Sequence, residues 1–331
     1  MGEEKELIVG QAGTLETMRA LRFEVFGGPD VLHVEDIETP SPHVGEVLVE
    51  VHAGGLNFAD TERRRGLYLS DTPLPDTSGF EGAGVVFAVG QGVDPSWLRR
   101  RVAFTASRAH AEFCAVPLGK LIALPDAIDF ITGAAFPVQA LTAWHVLHTL
   151  GQVAEGETVL VHSAAGGVGQ LLVQLAQQAG ARVIGSVSRD AKAERTRADE
   201  VLTRGPGFVE RLRALAPDGV DLVLEGLGAD VDALPCLRPL GRWVTYGTAA
   251  GAPAPLELAA LFEKSISVSA FWLRTELPPK VAARAAEEIV ARIADGRLQL
   301  EVTTGPLEDA ARAHRRLEGG LTTGKWVLRI R

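Results

Sequence analysis

The chain has 331 residues, 46% of them apolar and 23% charged, and a formal net charge of -9. That is enough for two soluble cores, and too acidic for a generic nucleic-acid binder, which needs clustered positive charge in excess. No apolar run reaches the roughly 18 residues that a membrane span requires, and the N-terminal MGEEKELIVGQAG lacks the basic start and long apolar stretch of a leader, so a cytoplasmic location is expected.

Residues 1–17 precede an internal Met18 that opens the strand-like run MRALRFEVFG, and they read as an extension outside the core. From Arg19 to about Pro125, short alternating or β-branched runs (VLHVEDI, EVLVEVHAGGL, GAGVVFAVG, RVAFTA, AEFCAVP) are punctuated by Gly and Pro, which predicts a small β-rich, barrel-like domain. From about Ile131 to Ser269 strands alternate with helices. A helix over Ala135 to Leu147 is followed by TVLVHSAAGGVGQLLVQLAQQAGAR at residues 158–182, then by VIGSVS, VDLVLEGLG, GRWVTYG and SISVSAF. The alternation predicts an α/β domain with a doubly wound parallel sheet. After Pro278 come a long Ala-rich helix, VAARAAEEIVARIADG, a second helix near Leu307 to Leu317 and a last strand, KWVLRI. These elements carry no second fingerprint, so the chain is expected to return to the first domain. The expected boundaries are 18–134 with 277–331 for that domain and 135–276 for the dinucleotide-binding one. The two cysteines, Cys114 and Cys236, stand in separate segments without further ligands, which argues against a disulfide framework or structural zinc lobe and leaves both as inert core residues.

Within residues 158–182, Ala164, Gly166 and Gly169 occupy the three small positions of the G-x-G-x-x-G fingerprint between a buried-strand run and an amphipathic helix. Gly166 lets backbone approach the pyrophosphate, Gly169 lets helix pack on strand, and the free N–H groups at the helix start favour negative charge. Ala165, Gly166, Gly167 and Val168 are therefore candidate cofactor-binding residues.

Together with AAGGVG, the segments GGPDVLHVED, GLNFADTERRRGLY at 55–68, GFEGAGVV at 79–86, GVDLVLEGLG, LRPLGRWVTYG and TGKWVL resemble one family. It is the zinc-independent branch of the medium-chain dehydrogenase/reductases, which includes quinone oxidoreductases and enoyl-thioester reductases. The resemblance covers nearly the whole chain from Met18. It implies a GroES-like β-rich catalytic domain built from both chain ends, a central Rossmann domain, an active cleft between them and a homodimer. It also implies that Asn57 and Asp60 orient the nicotinamide ribose and Tyr68, and that Thr142, Tyr246, Gly247, Phe271, Trp272, Leu273 and Lys325 face the cofactor or substrate.

Zinc-using relatives place a cysteine, a His-Glu pair and a further Cys or His around the cleft. Here Asn57, Phe80 and Leu141 stand at those positions, and none is a useful zinc donor. His145 and His148, three apart on a predicted helix, and His162 read as ordinary residues rather than a second metal site. Glu81 reads as a structural acid in a glycine-rich turn, bracing backbone N–H groups.

The cofactor is expected to be NADPH. Val187 takes the place of the acidic residue that would hold a ribose 2′-hydroxyl, and Ser186, Ser188, Arg189 and Lys192 surround it. Hydroxyls and guanidinium suit a 2′-phosphate. Arg204, where the family usually has a tyrosine, is a further candidate. Without a metal electrophile, the favoured chemistry is hydride addition to a C=C bond conjugated to a carbonyl or thioester, with a quinone as the alternative acceptor. Tyr68 stands at the spacing after the N-x-x-D element, Asn57 and Asp60, where enoyl-thioester reductases carry a tyrosine, so the resemblance implies a proton donor, and with a pKa of about 10 it stays protonated at neutral pH; its other reading is a wall of the site. Arg63, Arg64 and Arg65 read as a solvated turn, or else as a steering patch for a phosphopantetheine or CoA phosphate, so an acyl carrier protein is among the possible partners. A non-redox NADPH-binding protein or a cyclase on the same fold is the reading from another class.

Overall fold

The computed structural model describes residues 8–9, 16–68, 72–228, 232–251 and 254–331. They form two compact units: the chain up to Val138 together with Glu301–Arg331, and Gln139–Leu300.

The first unit is built around the long strand Glu46–Leu56, in which Val47, Val49 and Val51 are each 0% exposed, as period-two alternation requires. Its larger sheet runs Val302–Pro306, Lys325–Arg329, Glu46–Leu56, Glu81–Val89, Arg101–Thr105, Leu121–Ala123, with Phe113–Pro117 also pairing on the long strand. Antiparallel pairing of Trp326 with Leu56 and of Arg329 with Ala53 brings the C-terminal strand into the N-terminal sheet, so both chain ends build this unit. A three-stranded sheet, His33–Glu38, Thr17–Phe23, Asp76–Thr77, completes it. Phe23, Val86, Phe104, Val116 and Leu328 share its core with the valines of the long strand.

Two expectations about this unit change. Thr17 is the first residue of a core strand, and the backbone of Ile8–Val9 pairs antiparallel with Val89 and Ala88, so the supposed extension contributes to the sheet; residues 1–7 and 10–15 lie outside the described residues. The helix Pro279–Ala294 groups with the second unit, moving the return point from 277 to 301. Its buried residues Ala285 and Ile289 lie four apart on one face, the Arg292 guanidinium rests 5.1 Å from the Trp144 ring, and the chain beyond it is held by Gln174, which bonds both the carbonyl and the N–H of Gln299.

The second unit holds six strands, each parallel to its neighbours, in the order Glu200–Thr203, Arg182–Val187, Thr158–Val161, Val220–Glu225, Leu237–Thr245, Ser267–Ala270. Counted along the chain this is 3-2-1-4-5-6, the doubly wound order that puts a ligand crevice at the carboxyl end of the first strand. Val159, Leu160 and Val161 are fully buried, as a central parallel strand demands. The expected single helix over Ala135 to Leu147 is instead three segments: Phe130–Ala135, Pro137–Trp144 and a wider π-helical turn His145–Leu150. Pro137, which has no N–H to donate, accounts for the first break. Among the described residues no helix is long and apolar enough to cross a membrane.

Candidate functional site

In the first unit four buried polar residues share one site. Asn57 follows the long strand and precedes the helix Phe58–Arg64; its backbone N–H donates to Asp60 Oδ2 at 2.7 Å, and Asp60 Oδ1 accepts from Gly79 N–H at 3.2 Å. The Asn57 side chain donates from Nδ2 to Glu81 Oε1 at 2.6 Å, while its Oδ1 accepts from Lys325 Nζ at 2.8 Å. Lys325 is also ion-paired with Glu81, whose other oxygen accepts Val138 N–H at 2.7 Å. Glu81 is 0%, Lys325 2% and Asn57 5% exposed. Glu81 thus braces a backbone N–H as expected, but from the first position of a strand rather than from a turn. Burial pushes the Asp60 carboxyl up to about 7, against the pull of the Asn57 N–H and of Lys325. Gly55 is required here: a Cβ would lie 2.3 Å from the Ala134 carbonyl and 2.7 Å from Glu81 Oε1.

Tyr68 is half-buried, its ring 5.2 Å from that of Phe80. The helix ends at Arg64 and Gly66 adopts φ 74°, so Tyr68 stands on a loop beyond it, not on the helix with the arginines. The arginines themselves correct both expectations for them. Arg63 is buried, donating from Nε to Asp76 at 2.7 Å with its guanidinium 5.1 Å from the Phe80 ring. Arg64 is buried against Glu318, the Gly27 carbonyl and His314. Only Arg65 is exposed. Buried guanidinium groups with fixed acceptors neither form a solvated turn nor steer a phosphate.

In the second unit the AAGGVG turn is tied to its neighbours: Ala164 N–H donates to the Ser186 carbonyl at 2.9 Å and Gly166 N–H to the Ser163 carbonyl at 2.8 Å. Gly166 caps the helix Gly167–Gln178. A Cβ at Gly166 would meet only the Ser163 carbonyl, at 3.1 Å, whereas one at Gly169 would lie 2.3 Å from that oxygen and 2.8 Å from Ala164 Cα. Gly166→Ala is therefore expected to fold normally yet lose affinity for a dinucleotide. Gly169→Ala is expected to cost about 2–3 kcal/mol of stability through overpacking. Urea denaturation of the two variants checks the contrast, and equal losses would refute it.

At the end of the second strand, Ser188 and Arg189 are exposed and Lys192 is half-buried. Arg204 N–H donates to the Val187 carbonyl at 2.9 Å, placing residue 204 beside them. Burial, then Arg189 and Arg204, hold the Lys192 ammonium below its ordinary pKa, so three cations converge. Asp190 is engaged by the Thr203 hydroxyl. Ser186 does not join this group, because it is fully buried with its hydroxyl 3.0 Å from His162 Nδ1.

The remaining candidates are partly dispersed. Thr142 is buried on the helix Pro137–Trp144. Tyr246 packs against Gly226, where a Cβ would come within 2.5 Å of the ring, and burial with nearby Glu225 raises its hydroxyl pKa; a Cβ on Gly247 would likewise lie 2.8 Å from the Gly226 carbonyl oxygen. Phe271 is buried with its ring 5.4 Å from His145, Leu273 is half-buried, and Trp272 is exposed with the Arg274 guanidinium 5.4 Å from its ring. Trp144 packs on His148, ring centroids 4.3 Å apart. These aromatic rings pack on different neighbours. Both cysteines are free and buried, and burial pushes the Cys114 thiol up to about 12. Among the described residues the one grouping of potential metal ligands is Glu24, His33 and Glu35, the first two exposed.

Sequence reasoning missed two features. Glu225, at the end of its strand, accepts from the N–H groups of Leu227 and Gly228 and from the Thr245 hydroxyl, binding together the loops that carry Gly226 and Tyr246. The signal was an acidic residue closing the apolar run VDLVLEG. The Lys325–Glu81 pair gave no local signal at all.

Comparison with known proteins gives two family matches: an alcohol dehydrogenase GroES-like domain over residues 43–155 and a zinc-binding dehydrogenase domain over 196–328. A quinone oxidoreductase from Pseudomonas aeruginosa is 36% identical over 323 residues, covering 94% of this chain and 99% of that protein. A mycobacterial protein solved in complex with NADPH superposes with a TM-score of 0.89 at 35% identity, over 95% of this chain and all of the other. Escherichia coli quinone oxidoreductase complexed with NADPH gives 0.87 at 33% identity, over 94% of this chain and all of the other.

Proposed function

The chain belongs to the quinone oxidoreductase-like medium-chain dehydrogenase/reductases, and on that footing we propose that it is an NADPH-dependent reductase whose acceptor is a quinone. One observation carries the cofactor: Arg189, Lys192 and Arg204 converge where a ribose 2′-hydroxyl would otherwise call for a carboxylate. The open face of Gly166 and the N-terminus of the helix behind it fit a pyrophosphate. Bound there, NADPH supplies a hydride to the acceptor.

The chain's own part is binding and orientation. Ser188, Arg189, Lys192 and Arg204 hold the 2′-phosphate, Gly166 and the helix start hold the pyrophosphate, and Asn57, braced by Asp60, Glu81 and Lys325, orients the reacting end. A quinone spreads incoming charge over two oxygens, so it needs less electrophilic help than a simple ketone. The reaction takes one hydride and one proton per quinone and releases the hydroquinone. The residues do not fit zinc: Asn57, Phe80 and Leu141 are poor donors, and the carboxylate of Glu81 is tied to an ammonium.

The packing of Tyr68 on Phe80 supports the wall reading for its ring, suited to a flat acceptor. Tyr68→Phe is therefore expected to keep NADPH-dependent reduction of 1,4-naphthoquinone within about threefold of wild type, whereas a proton donor would cost about 100-fold or more. The parallel assay uses a crotonyl thioester. Turnover of the thioester but not of the naphthoquinone, together with a large Tyr68→Phe loss, would replace the quinone reading by an enoyl reductase.

A further inference from the structure

Asn57 is the one residue of the first unit's buried site whose function depends on which way round it stands. Its amide has an acceptor end and a donor end of nearly equal size, and a half-turn exchanges them. Two neighbours decide between these states. Lys325 Nζ has only donors and lies 2.8 Å from Oδ1; an ionised Glu81 has only acceptors and lies 2.6 Å from Nδ2. In the reversed state the amide hydrogens would face an ammonium and the amide oxygen a carboxylate, two repulsive contacts in a site that is 5% exposed or less. The salt bridge between Lys325 and Glu81 holds the two neighbours against each other, an ammonium that only donates beside a carboxylate that accepts.

We propose that Lys325 is a positioning residue: held on Glu81, its ammonium locks the Asn57 amide in one orientation and thereby fixes the single amide hydrogen that Asn57 has left for the bound cofactor. The inference rests on the reading of Asn57 as a cofactor contact. It assigns Lys325 to the control of Asn57 rather than to direct contact with the cofactor, because its Nζ is directed to Asn57 Oδ1 and Glu81 Oε1 from a side chain that is 2% exposed.

The lock is separable from the fold by a charge-neutral replacement. Lys325→Met alone leaves Glu81 buried without its cation and is expected to lower the melting temperature sharply. Lys325→Met combined with Glu81→Gln removes both charges. The new carboxamide at position 81 accepts or donates, so both orientations of Asn57 become tolerable while the site stays filled. The double variant is expected to recover most of the melting temperature and yet bind NADPH at least tenfold more weakly than wild type, matching Asn57→Ala within about threefold. Binding is read by quenching or enhancement of NADPH fluorescence on the purified full chain, alongside thermal melts. If the double variant binds NADPH like wild type while Asn57→Ala is weakened, the pair is structural only and the lock is overturned. If Asn57→Ala itself binds NADPH like wild type, the reading of Asn57 fails and takes the inference with it.

Discussion

Replacing Arg189 and Arg204 together by alanine is expected to raise the KM for NADPH by about 100-fold or more and to leave that for NADH within about threefold. Each charge-assisted hydrogen bond to a phosphate is worth about 1.5–3 kcal/mol, and about 1.4 kcal/mol corresponds to a tenfold change, so two such contacts account for the effect. Burial first, and then the positive charges of Arg189 and Arg204, hold the Lys192 ammonium below its ordinary pKa. A dianionic 2′-phosphate matches such cations, and a ribose hydroxyl does not. Steady-state kinetics with both coenzymes at saturating quinone checks the prediction, with a thermal melt to show that the variant is folded. Equal losses for NADPH and NADH would show that the arginines shape the fold or the common part of the cofactor instead. No loss for either would remove them from the site.

What the sequence shows of this site is what lies close along the chain. The strand, turn and helix of residues 158–182 are contiguous, and Gly169 makes the close helix-on-strand approach expected of it. Val187, Ser188, Arg189 and Lys192 are legible for the same reason. Ser186 is not, because alternation on a strand sends it to the opposite side from its neighbours, onto His162. The third strand, Glu200–Thr203, is hard to see because it is only four residues long, at an outer edge of the sheet and flanked by charged residues. That Asn57, Phe80 and Leu141 are poor zinc donors is evident from residue identity alone. The Lys325–Glu81 pair is not, since its members are separated by 244 positions and meet only when the C-terminal strand enters the N-terminal sheet. The same limit explains Arg63 and Arg64. Three adjacent arginines look solvated until Asp76 and Glu318 arrive from other segments.

Acidification from pH 8 to pH 5 is expected to lower the melting temperature, with the loss concentrated in the second unit. His110, His162 and His314 are each 0% exposed. Burial holds His110 down to about 4 and His162 to about 3, with Arg204 adding to the latter; burial and Arg64 hold His314 well below the ordinary value. An unfolded histidine takes its proton near pH ~6.5, so these groups give their full stabilisation above that pH and lose it as pH falls toward their folded values. At pH 5 each has cost about 2 kcal/mol, from about 1.5 pH units at about 1.36 kcal/mol per unit. Asp60 acts with the opposite sign. Its folded pKa is raised from 3.8 to about 7, so it adds stability as pH falls below neutrality, about 2–3 kcal/mol by pH 5. Asp60 shares a unit with His110 and His314 and offsets much of their loss. His162 lies in the other unit, where His145 and His148 are shifted by burial in the same direction as it is. Scanning calorimetry between pH 8 and pH 5 should therefore show the melting temperature falling below pH 6.5. His162→Asn should reduce that slope, because asparagine does not titrate but can still bond the Ser186 hydroxyl. Asp60→Asn should steepen it, by removing the compensating proton from the first unit. A melting temperature that stays flat or rises from pH 6.5 to pH 5, or a His162→Asn variant with an unchanged slope, would rule out the buried neutral histidines as the source of acid sensitivity.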